Sequence, residues 1–273
     1  MDSKNLPVVI LAGGAGMRLR EHTEYVPKAL IPIGNMPIIL HVMKIYAHHG
    51  YNKFIVCLGY KGEMIKNFFL NHELMENDFI LKFGQEKNIV NLARKIKDFE
   101  ITFANTGLNT NTGGRIKKIE KYTDAENFFL TYCDGLADIN ARNILDFHLK
   151  TGKIATLTGV HPMSPFGAIE VENNLAVSFK EKPTLPGIIN GGFFAFNRKV
   201  FDYLDDNCIL EEEPLRKLTE EKQLAVFLHN GFWTCMDTHK DFERLNTLWE
   251  RNYMPNIGFK GNPPWKIWND ENE

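Results

Sequence analysis

Residues that could bind a polyphosphate lie close together near the start of the chain. Residues 12–16 read Ala-Gly-Gly-Ala-Gly, and glycines at such a turn let the backbone approach a ligand while its N–H groups face an anion. Arg18 follows the turn and can bind phosphate oxygens through its planar guanidinium. Lys28 comes ten residues later, between Pro27 and the apolar residues 29–31. Together these residues indicate a polyphosphate site.

The spacing of these residues differs from two common nucleotide-binding motifs. The glycine turn is not closed by Gly-Lys-Ser or Gly-Lys-Thr, as a P-loop would be. Leu19 stands where the dinucleotide-binding fingerprint has its third glycine. Glycine turns are common between strands and helices. Taken alone, residues 13–16 are therefore also compatible with a turn that binds no ligand.

The elements that must position this turn follow from the pattern around it. Residues 8–11 form a short apolar, β-branched run, which predicts a buried strand. A helical pattern over 38–50 ends at a glycine, a second apolar run occupies 54–58, and a helix is expected over 63–71. This alternation predicts a doubly wound α/β fold, in which ligands bind at the carboxyl ends of the strands.

A carboxylate follows a third apolar run, residues 128–133. At the carboxyl end of a strand, Asp134 would face the ligand crevice, where Mg²⁺ commonly takes one or two carboxylates together with substrate phosphates. The alternative is that Asp134 caps the helix expected over 141–150. Asp138 is the better candidate for that cap because it lies closer to the helix.

The stretches between these strands are less regular. Residues 78–83 and 101–104 read as strands, whereas 84–98 are polar without strand periodicity, and we interpret them as an excursion with a partial helix that could act as a lid. Residues 105–115 contain two glycine turns, three threonines and an arginine ahead of a helix expected over 116–122. This pattern fits a second ligand loop or a hydrophilic surface loop.

Composition narrows the class of protein. The chain has 273 residues, of which 44% are apolar and 24% charged, and its net charge of −2 gives no indication of a nucleic-acid or anionic-membrane partner. Its apolar runs stay well short of the roughly 20 residues of a membrane span, and the polar start MDSKNLP is not typical of a secretory signal. Four scattered cysteines without a C-x-x-C pair predict free thiols in a reducing cytoplasm.

Residues 6–37 resemble the signature of the sugar-phosphate nucleotidyltransferases, also called nucleotide-sugar pyrophosphorylases. The family pattern L-A-G-G-x-G-x-R-L matches residues 11–19, P-K matches 27–28, and P-I-G-x-x-P-I matches 32–38. Met17 departs from the pattern, because many members have Thr there, and a hydroxyl contact to phosphate is thereby lost. The resemblance implies a Rossmann-like nucleotidyltransferase fold with a mostly parallel mixed sheet and a small sugar-binding β portion.

The resemblance covers nearly the whole chain and implies one nucleotidyltransferase domain over 1–273. It divides that domain into a nucleotide-binding half, 1–150, a sugar-phosphate-binding half, 151–240, and a C-terminal helix and tail, 241–273. The tail contains the sequence NPPWKIW, whose tryptophans and prolines favour docking or an oligomer contact over chemistry.

Family motifs also imply a role for individual residues. The catalytic set would be Arg18 on the leaving pyrophosphate, Lys28 on the α-phosphate or sugar phosphate, and Asp134 and Asp237 holding Mg²⁺. The implied nucleotide-binding residues are Leu11, Ala12, Gly13, Gly14, Gly16, Arg18, Lys28, Thr112, Gly113, Gly114 and Arg115. The implied sugar-phosphate-binding residues are Gly167, Glu181, Lys182, Asn190, Gly191 and Trp233.

Three of these assignments include an expected contact. The backbone of Gly113 and Gly114 would read a base edge without side chains. Asn190 would bind sugar hydroxyls, and Gly191 with Gly192 would leave room for the sugar ring.

Within the family, the motifs most resemble those of cytidylyltransferases that use glucose 1-phosphate. The implied reaction transfers CMP from CTP to the sugar 1-phosphate in a cytoplasmic homo-oligomer, with Mg²⁺ as cofactor and neither nucleic acid nor membrane as partner. Ala29-Leu30 after Pro27-Lys28 departs from the expected P-K-P-M, and 84–98 is divergent. These departures leave open a cytidylyltransferase for another phosphate, or a uridylyl- or thymidylyltransferase.

Two alternatives lie outside this reaction. A GT-A glycosyltransferase would need a D-x-D metal motif, whereas the sequence at Asp134 is D-G-L. A non-catalytic, regulatory nucleotide-sugar-binding protein could dispense with Arg18, Lys28, Asp134 and Asp237, but all four are present.

Overall fold

The computed structural model describes residues 6–75, 78–82, 88–91, 99–164, 166–251, 253–254, 259–260 and 262–269. Its strands are β1 (Val8–Ala12), β2 (Pro32–Ile33), β3 (Met36–Pro37), β4 (Lys53–Leu58), β5 (Phe79–Lys82), β6 (Asn88–Asn91), β7 (Glu100–Asn105), β8 (Asn127–Tyr132), β9 (Gly135–Ala137), β10 (Ala155–Val160), β11 (Ala168–Glu172), β12 (Leu175–Lys180), β13 (Ile189–Asn190), β14 (Phe194–Asn197), β15 (Leu224–His229), β16 (Trp233–Cys235), β17 (Tyr253–Met254) and β18 (Phe259–Lys260). Its α-helices are α1 (Arg20–Thr23), α2 (Ile38–His48), α3 (Gly62–Met75), α4 (Thr112–Lys118), α5 (Ala141–Thr151), α6 (Glu213–Glu220) and α7 (His239–Arg251). Within these residues, no helix combines the length and apolar character needed to cross a membrane.

An eight-stranded mixed sheet forms the centre of the fold. The strands β8, β1, β4 and β7 are parallel neighbours in that order. Antiparallel β14 joins β8 to β10, β13 pairs with the carboxyl end of β10, and β15 runs parallel to β10 at the edge. This arrangement confirms the mostly parallel mixed sheet that the sequence predicts.

Both faces of the sheet are covered, as a doubly wound fold requires. On β1, Val8 and Ile10 point into one apolar core with side chains of α2, α5 and α7, while Val9 and Leu11 point into a second core with α4 and α6. A strand buried on both faces explains why the sequence of β1 is continuously apolar. The two cores hold the carboxyl ends of the central strands at one edge, where the glycine turn begins.

Several short pairs of strands lie outside the central sheet. The antiparallel pair of β9 with β16 is important for the site, and β11 pairs with β12 in an exposed hairpin. The stretch 84–98, interpreted as an excursion with a partial helix that could act as a lid, lies mostly outside the described residues. Its described part, β6, is a strand paired with β5, although the sequence there shows no strand periodicity.

Two predicted details of the helices need correction, and the tail has a defined place. The α4 helix begins at Thr112 rather than at residue 116, so the glycines of that loop are helical. Asn140, not Asp138, caps α5, because its side chain accepts hydrogen bonds from the first helical amides. Trp265 of the tail is fully buried in this chain's own core, where its Nε1 donates to His41 Nδ1 at 3.1 Å. The tail therefore docks within the chain.

Candidate active site

The glycine turn leaves the sheet at the carboxyl end of β1. Leu11 and Ala12 are the buried last residues of the strand, and Gly13 O accepts the amide of Tyr60 at 3.0 Å, which ties the turn to the loop after β4. Gly14 is exposed, with open space where a Cβ would lie. Its backbone is therefore accessible to a ligand.

The backbone conformation of the turn requires glycine at position 16. Gly16 has a φ of 62°, and a Cβ there would lie 2.8 Å from Thr23 Cγ2. The left-handed backbone redirects the chain into the helical turn Met17–Leu19, on which Arg18 extends with a side chain 76% exposed. The turn thus places an arginine at the mouth of the site.

Lys28 is the centre of an ion-pair cluster. Its ammonium binds Asp134 Oδ2 and lies 2.7 Å from Asp237 Oδ1, while Arg18 Nη1 lies 3.1 Å from Asp237 Oδ2. Lys28 is 12% exposed, and the two aspartates are 20% and 23% exposed. The structure therefore brings together all four residues that the sequence assigned to catalysis.

The pairing of β9 with β16 explains why the two aspartates meet. Gly135 is opposite Cys235 in this antiparallel ladder, and Asp134 O accepts the amide of Met236 at 3.0 Å. Asp134 lies just before β9 and Asp237 just after β16, so both aspartates are at the same end of the ladder. The carboxylate that binds Lys28 is thus no helix cap, which removes that alternative for Asp134.

The backbone at Asp237 is fixed by a capping box that the sequence reading missed. Asp241 Oδ2 accepts from the Asp237 amide at 3.2 Å, the Thr238 amide at 2.9 Å and the Thr238 hydroxyl at 2.8 Å. Thr238 Oγ1 in turn accepts the Asp241 amide. The pattern T-x-x-D at the start of an amphipathic helix was the available sequence signal.

Lys28 and Asp237 stay ionised around neutral pH. Burial alone would lower the pKa of Lys28, but the carboxylates of Asp134 and Asp237 raise it above its ordinary value. Burial opposes ionisation of Asp237 as well, but Lys28 and Arg18 hold its pKa below its ordinary value. Beside them, burial and the carboxylates raise the pKa of the Cys235 thiol to about 12, so the thiol is neutral.

The donor set fits a magnesium ion. Asp134 and Asp237 present hard carboxylate oxygens that already converge on one cation, the Lys28 ammonium. No group of three or more His, Cys, Asp or Glu side chains suited to a metal occurs in the part of the chain that the structure describes. A divalent ion held here would therefore need further oxygens from substrate phosphates or water.

Arg115 is buried among loops rather than in the crevice. Its guanidinium donates to Gly13 O at 3.0 Å, to Gly107 O at 2.7 Å and to Thr106 Oγ1 at 2.7 Å, with further bonds to Leu58 O and Leu108 O. The side chain is 4% exposed. The guanidinium therefore joins the glycine turn to two neighbouring loops, and its assignment to nucleotide binding stays a prediction.

The glycines of α4 are needed for packing. A Cβ on Gly113 would lie 2.4 Å from Cys208 Sγ, and one on Gly114 would lie 2.3 Å from Asp206 O. The Gly114 amide donates to Cys208 O at 3.1 Å, so it is not available to a base. Thr112 Oγ1 donates to Glu211 Oε2 at 2.7 Å. The Gly114 amide is thus used within the protein, and contact of the Gly113 and Gly114 backbone with a base edge stays a prediction.

Three of the predicted sugar-binding residues lie close together. Trp233 Nε1 donates to Gly191 O at 2.8 Å, and Asn190 Nδ2 donates to the Tyr132 hydroxyl at 3.4 Å. A Cβ on Gly191 would lie 2.7 Å from a Val160 methyl group, so this glycine makes room for protein rather than for a sugar ring. Gly192 makes room for the Tyr132 ring in the same way.

The other predicted sugar-binding residues flank the exposed hairpin. Glu181 and Lys182 follow β12, form an ion pair of 3.6 Å and are about half exposed, at 56% and 46% respectively. Gly167 precedes β11 and makes room for Phe179, since a Cβ would lie 2.7 Å from that ring. The described contacts do not connect this group to the Lys28 cluster.

Two bacterial relatives are similar to the chain over almost its whole length. It is 43% identical over 265 residues to the "Probable glucose-1-phosphate cytidylyltransferase" of Bacillus subtilis (strain 168), with 96% of this chain and 100% of that protein covered. It is 41% identical over 266 residues to the glucose-1-phosphate cytidylyltransferase of Salmonella typhi, with the same coverage.

Structural comparison supports the same fold. The crystal structure of HddC from Yersinia pseudotuberculosis complexed with GMP-PN has a TM-score of 0.67 and 20% identity, over 90% of this chain and 100% of that one.

The family model described as nucleotidyl transferase matches residues 7–252, which include the glycine turn, Lys28 and both aspartates. The chain therefore belongs to the nucleotidyl transferase family and is a nucleotidyltransferase enzyme.

Proposed function

We propose that this enzyme transfers CMP from CTP to a sugar 1-phosphate, with α-D-glucose 1-phosphate as the acceptor. The observation that carries the proposal is the convergence of Arg18, Lys28, Asp134 and Asp237 beside the glycine turn. Relatives that are 41–43% identical over 96% of the chain are named glucose-1-phosphate cytidylyltransferase or probable glucose-1-phosphate cytidylyltransferase, which supports the choice of both substrates.

In the proposed reaction, an oxygen of the sugar phosphate attacks the α-phosphorus of CTP. A new phosphorus–oxygen bond forms, the bond from the α-phosphorus to the bridging oxygen breaks, and pyrophosphate leaves with that electron pair. Because the attacking oxygen is already anionic, no strong base is needed. The enzyme must bring two anions together and stabilise the charge at phosphorus.

The residues of the cluster suit these tasks. Lys28 is kept protonated by its carboxylate partners and would contact the α-phosphate or the sugar phosphate. Arg18, with its exposed guanidinium, would bind the departing pyrophosphate. Asp134 and Asp237 would hold Mg²⁺, which when bound neutralises phosphate charge. The homo-oligomer and the cytoplasmic location remain predictions from the sequence.

Pyrophosphate release with Mg²⁺, measured for CTP, UTP, dTTP, ATP and GTP against a panel of sugar 1-phosphates, tests the specificity. We expect release with CTP and glucose 1-phosphate. Comparable turnover with UTP would contradict the cytidylyl assignment, and turnover with CTP and another phosphate would replace the acceptor. Binding without release for every pair would favour a regulatory protein.

A further inference from the structure

A chain of hydrogen bonds crosses the site beside the lysine cluster. Tyr132 ends β8 two residues before Asp134, and its hydroxyl donates to Glu211 Oε1. Thr112 Oγ1 donates to Glu211 Oε2 at 2.7 Å and itself accepts the Leu210 amide at 2.9 Å. Donors from two different elements therefore fix both oxygens of one carboxylate.

The same tyrosine also reaches the sugar-phosphate half of the site. Asn190 Nδ2 donates to the Tyr132 hydroxyl, and Asn190 Oδ1 is held by the Gly192 amide at 2.9 Å. The Tyr132 hydroxyl thus accepts a hydrogen bond from Asn190 while it donates one to Glu211. Glu211 is thus linked to Thr112 on one side and to Asn190 on the other.

The Glu211 residue is nevertheless exposed. A carboxylate has about four acceptor positions, so each oxygen can accept a further hydrogen bond from solvent or from a ligand. Its negative charge repels phosphate and attracts hydrogen-bond donors such as hydroxyls. Two oxygens fixed side by side match two neighbouring hydroxyls on one ring.

We propose that Glu211, oriented by Tyr132 and Thr112, forms a subsite that binds a vicinal pair of substrate hydroxyls. The subsite rests on the proposed function, because both substrates of that reaction contain such a pair. One source is the ribose of the nucleotide, and the other is the hexose ring.

Steady-state kinetics of the full-length protein distinguish these two sources. We expect Glu211→Gln to raise the KM of one substrate about 10- to 100-fold, as for the loss of one charge-assisted hydrogen bond, with kcat within about threefold of wild type. If Glu211 binds the ribose, the preference for CTP over dCTP should disappear in Glu211→Gln. Preference for glucose 1-phosphate over its 2-deoxy and 4-deoxy analogues should disappear if the hexose is bound.

Two variants separate this role from a structural one. Glu212→Gln removes the same charge from the next residue and should leave every KM unchanged. Tyr132→Phe removes one of the donors that orient Glu211 and should raise the same KM as Glu211→Gln by a smaller factor. Circular dichroism and thermal unfolding establish that each variant is folded.

A folded Glu211→Gln variant with unchanged KM for every substrate would overturn the subsite. A KM rise of equal size for hydroxylated and deoxy substrates would overturn it too. If the wild-type protein turns over no pair of substrates, the proposed function fails. The subsite is then tested by calorimetry, which compares the affinities of wild type and Glu211→Gln for CTP and for glucose 1-phosphate. Equal affinities, or no binding by wild type, would then contradict the subsite.

Discussion

Lys28 Nζ lies 2.7 Å from Asp237 Oδ1, although 209 positions separate the two residues in the chain. The same ammonium binds Asp134, so one cation holds two carboxylates from different loops. A lysine in this position both stabilises the aspartates and supplies positive charge where phosphates would bind. Single substitutions at Lys28 or Asp237 therefore test what this contact contributes.

Lys28→Ala should fold but lose most turnover. Without the ammonium, two carboxylates face each other and the phosphates lose a positive contact, so we expect kcat to fall by about 10²–10³. Lys53→Ala is the matched control, because Lys53 pairs with Glu100 at 3.1 Å at the start of β4. A kcat near wild type in Lys28→Ala would show that the assigned role is wrong.

Asp237→Asn should weaken the response to magnesium. A neutral amide is a poorer ligand than a carboxylate, so the half-saturating Mg²⁺ concentration should rise by about tenfold or more. Asp237→Ala should lose most turnover at any Mg²⁺ concentration. Asp202→Asn, at an exposed position, serves as the control in the same titration. An unchanged Mg²⁺ response in Asp237→Asn contradicts a ligand role.

The contribution of the Asp237 ion pairs to stability should depend on pH only in acid. Because the folded-state pKa of Asp237 lies below 3.8, its ion pairs contribute fully above that pH and are lost as pH falls through the folded value. The difference in unfolding free energy between wild type and Asp237→Asn should be constant over about pH 5 to 8 and shrink in stronger acid. Urea unfolding across this range measures it, and a difference that grows in acid would have the wrong sign.

His148 should destabilise the fold at mildly acidic pH. It is 2% exposed and hydrogen-bonded to Thr156 Oγ1 at 2.9 Å, and burial lowers its pKa from 6.5 to about 4. The unfolded chain binds the proton first, so stability falls between these values as pH decreases. Urea unfolding at about pH 7 and pH 5 should show a loss about 2 kcal/mol smaller in His148→Gln than in wild type. Equal losses would contradict a neutral buried histidine.

Arg115→Lys should loosen the loops around the glycine turn. A lysine ammonium cannot match the planar set of donors that binds Gly13, Gly107 and Thr106, so we expect a loss of about 2–4 kcal/mol in unfolding free energy. Arg216→Lys changes an exposed pair with Glu220 and should be nearly neutral. Equal stability of the two variants would exclude a clamping role for Arg115.

The sequence predicts the parts of the site whose signals are local. The glycine turn, Lys28 and the strand before Asp134 are each visible within a few residues, and the alternation of strands and helices predicts the sheet that brings them to one edge. Family motifs supply Asp237, whose position depends on the ladder between β9 and β16.

Long-range packing decides the parts that the sequence could not give. Gly113 and Gly114 look like a ligand loop, yet their missing side chains accommodate the segment at Asp206 and Cys208. The contact between Tyr132 and Glu211 joins residues 79 positions apart and leaves no pattern in the sequence. For the same reason, the sequence alone does not show whether an arginine such as Arg115 joins several loops or binds a ligand.

Transfer of label from α-³²P-CTP tests whether the residues around Lys28 transfer a CMP group. With glucose 1-phosphate and Mg²⁺, the label should appear in CDP-glucose while the released pyrophosphate stays unlabelled, and Lys28→Ala should form labelled product at about 10²–10³ lower rate. Label that remains in CTP, or appears only in free CMP, would contradict nucleotidyl transfer to this acceptor. Equal rates in the two proteins would contradict the role of the cluster.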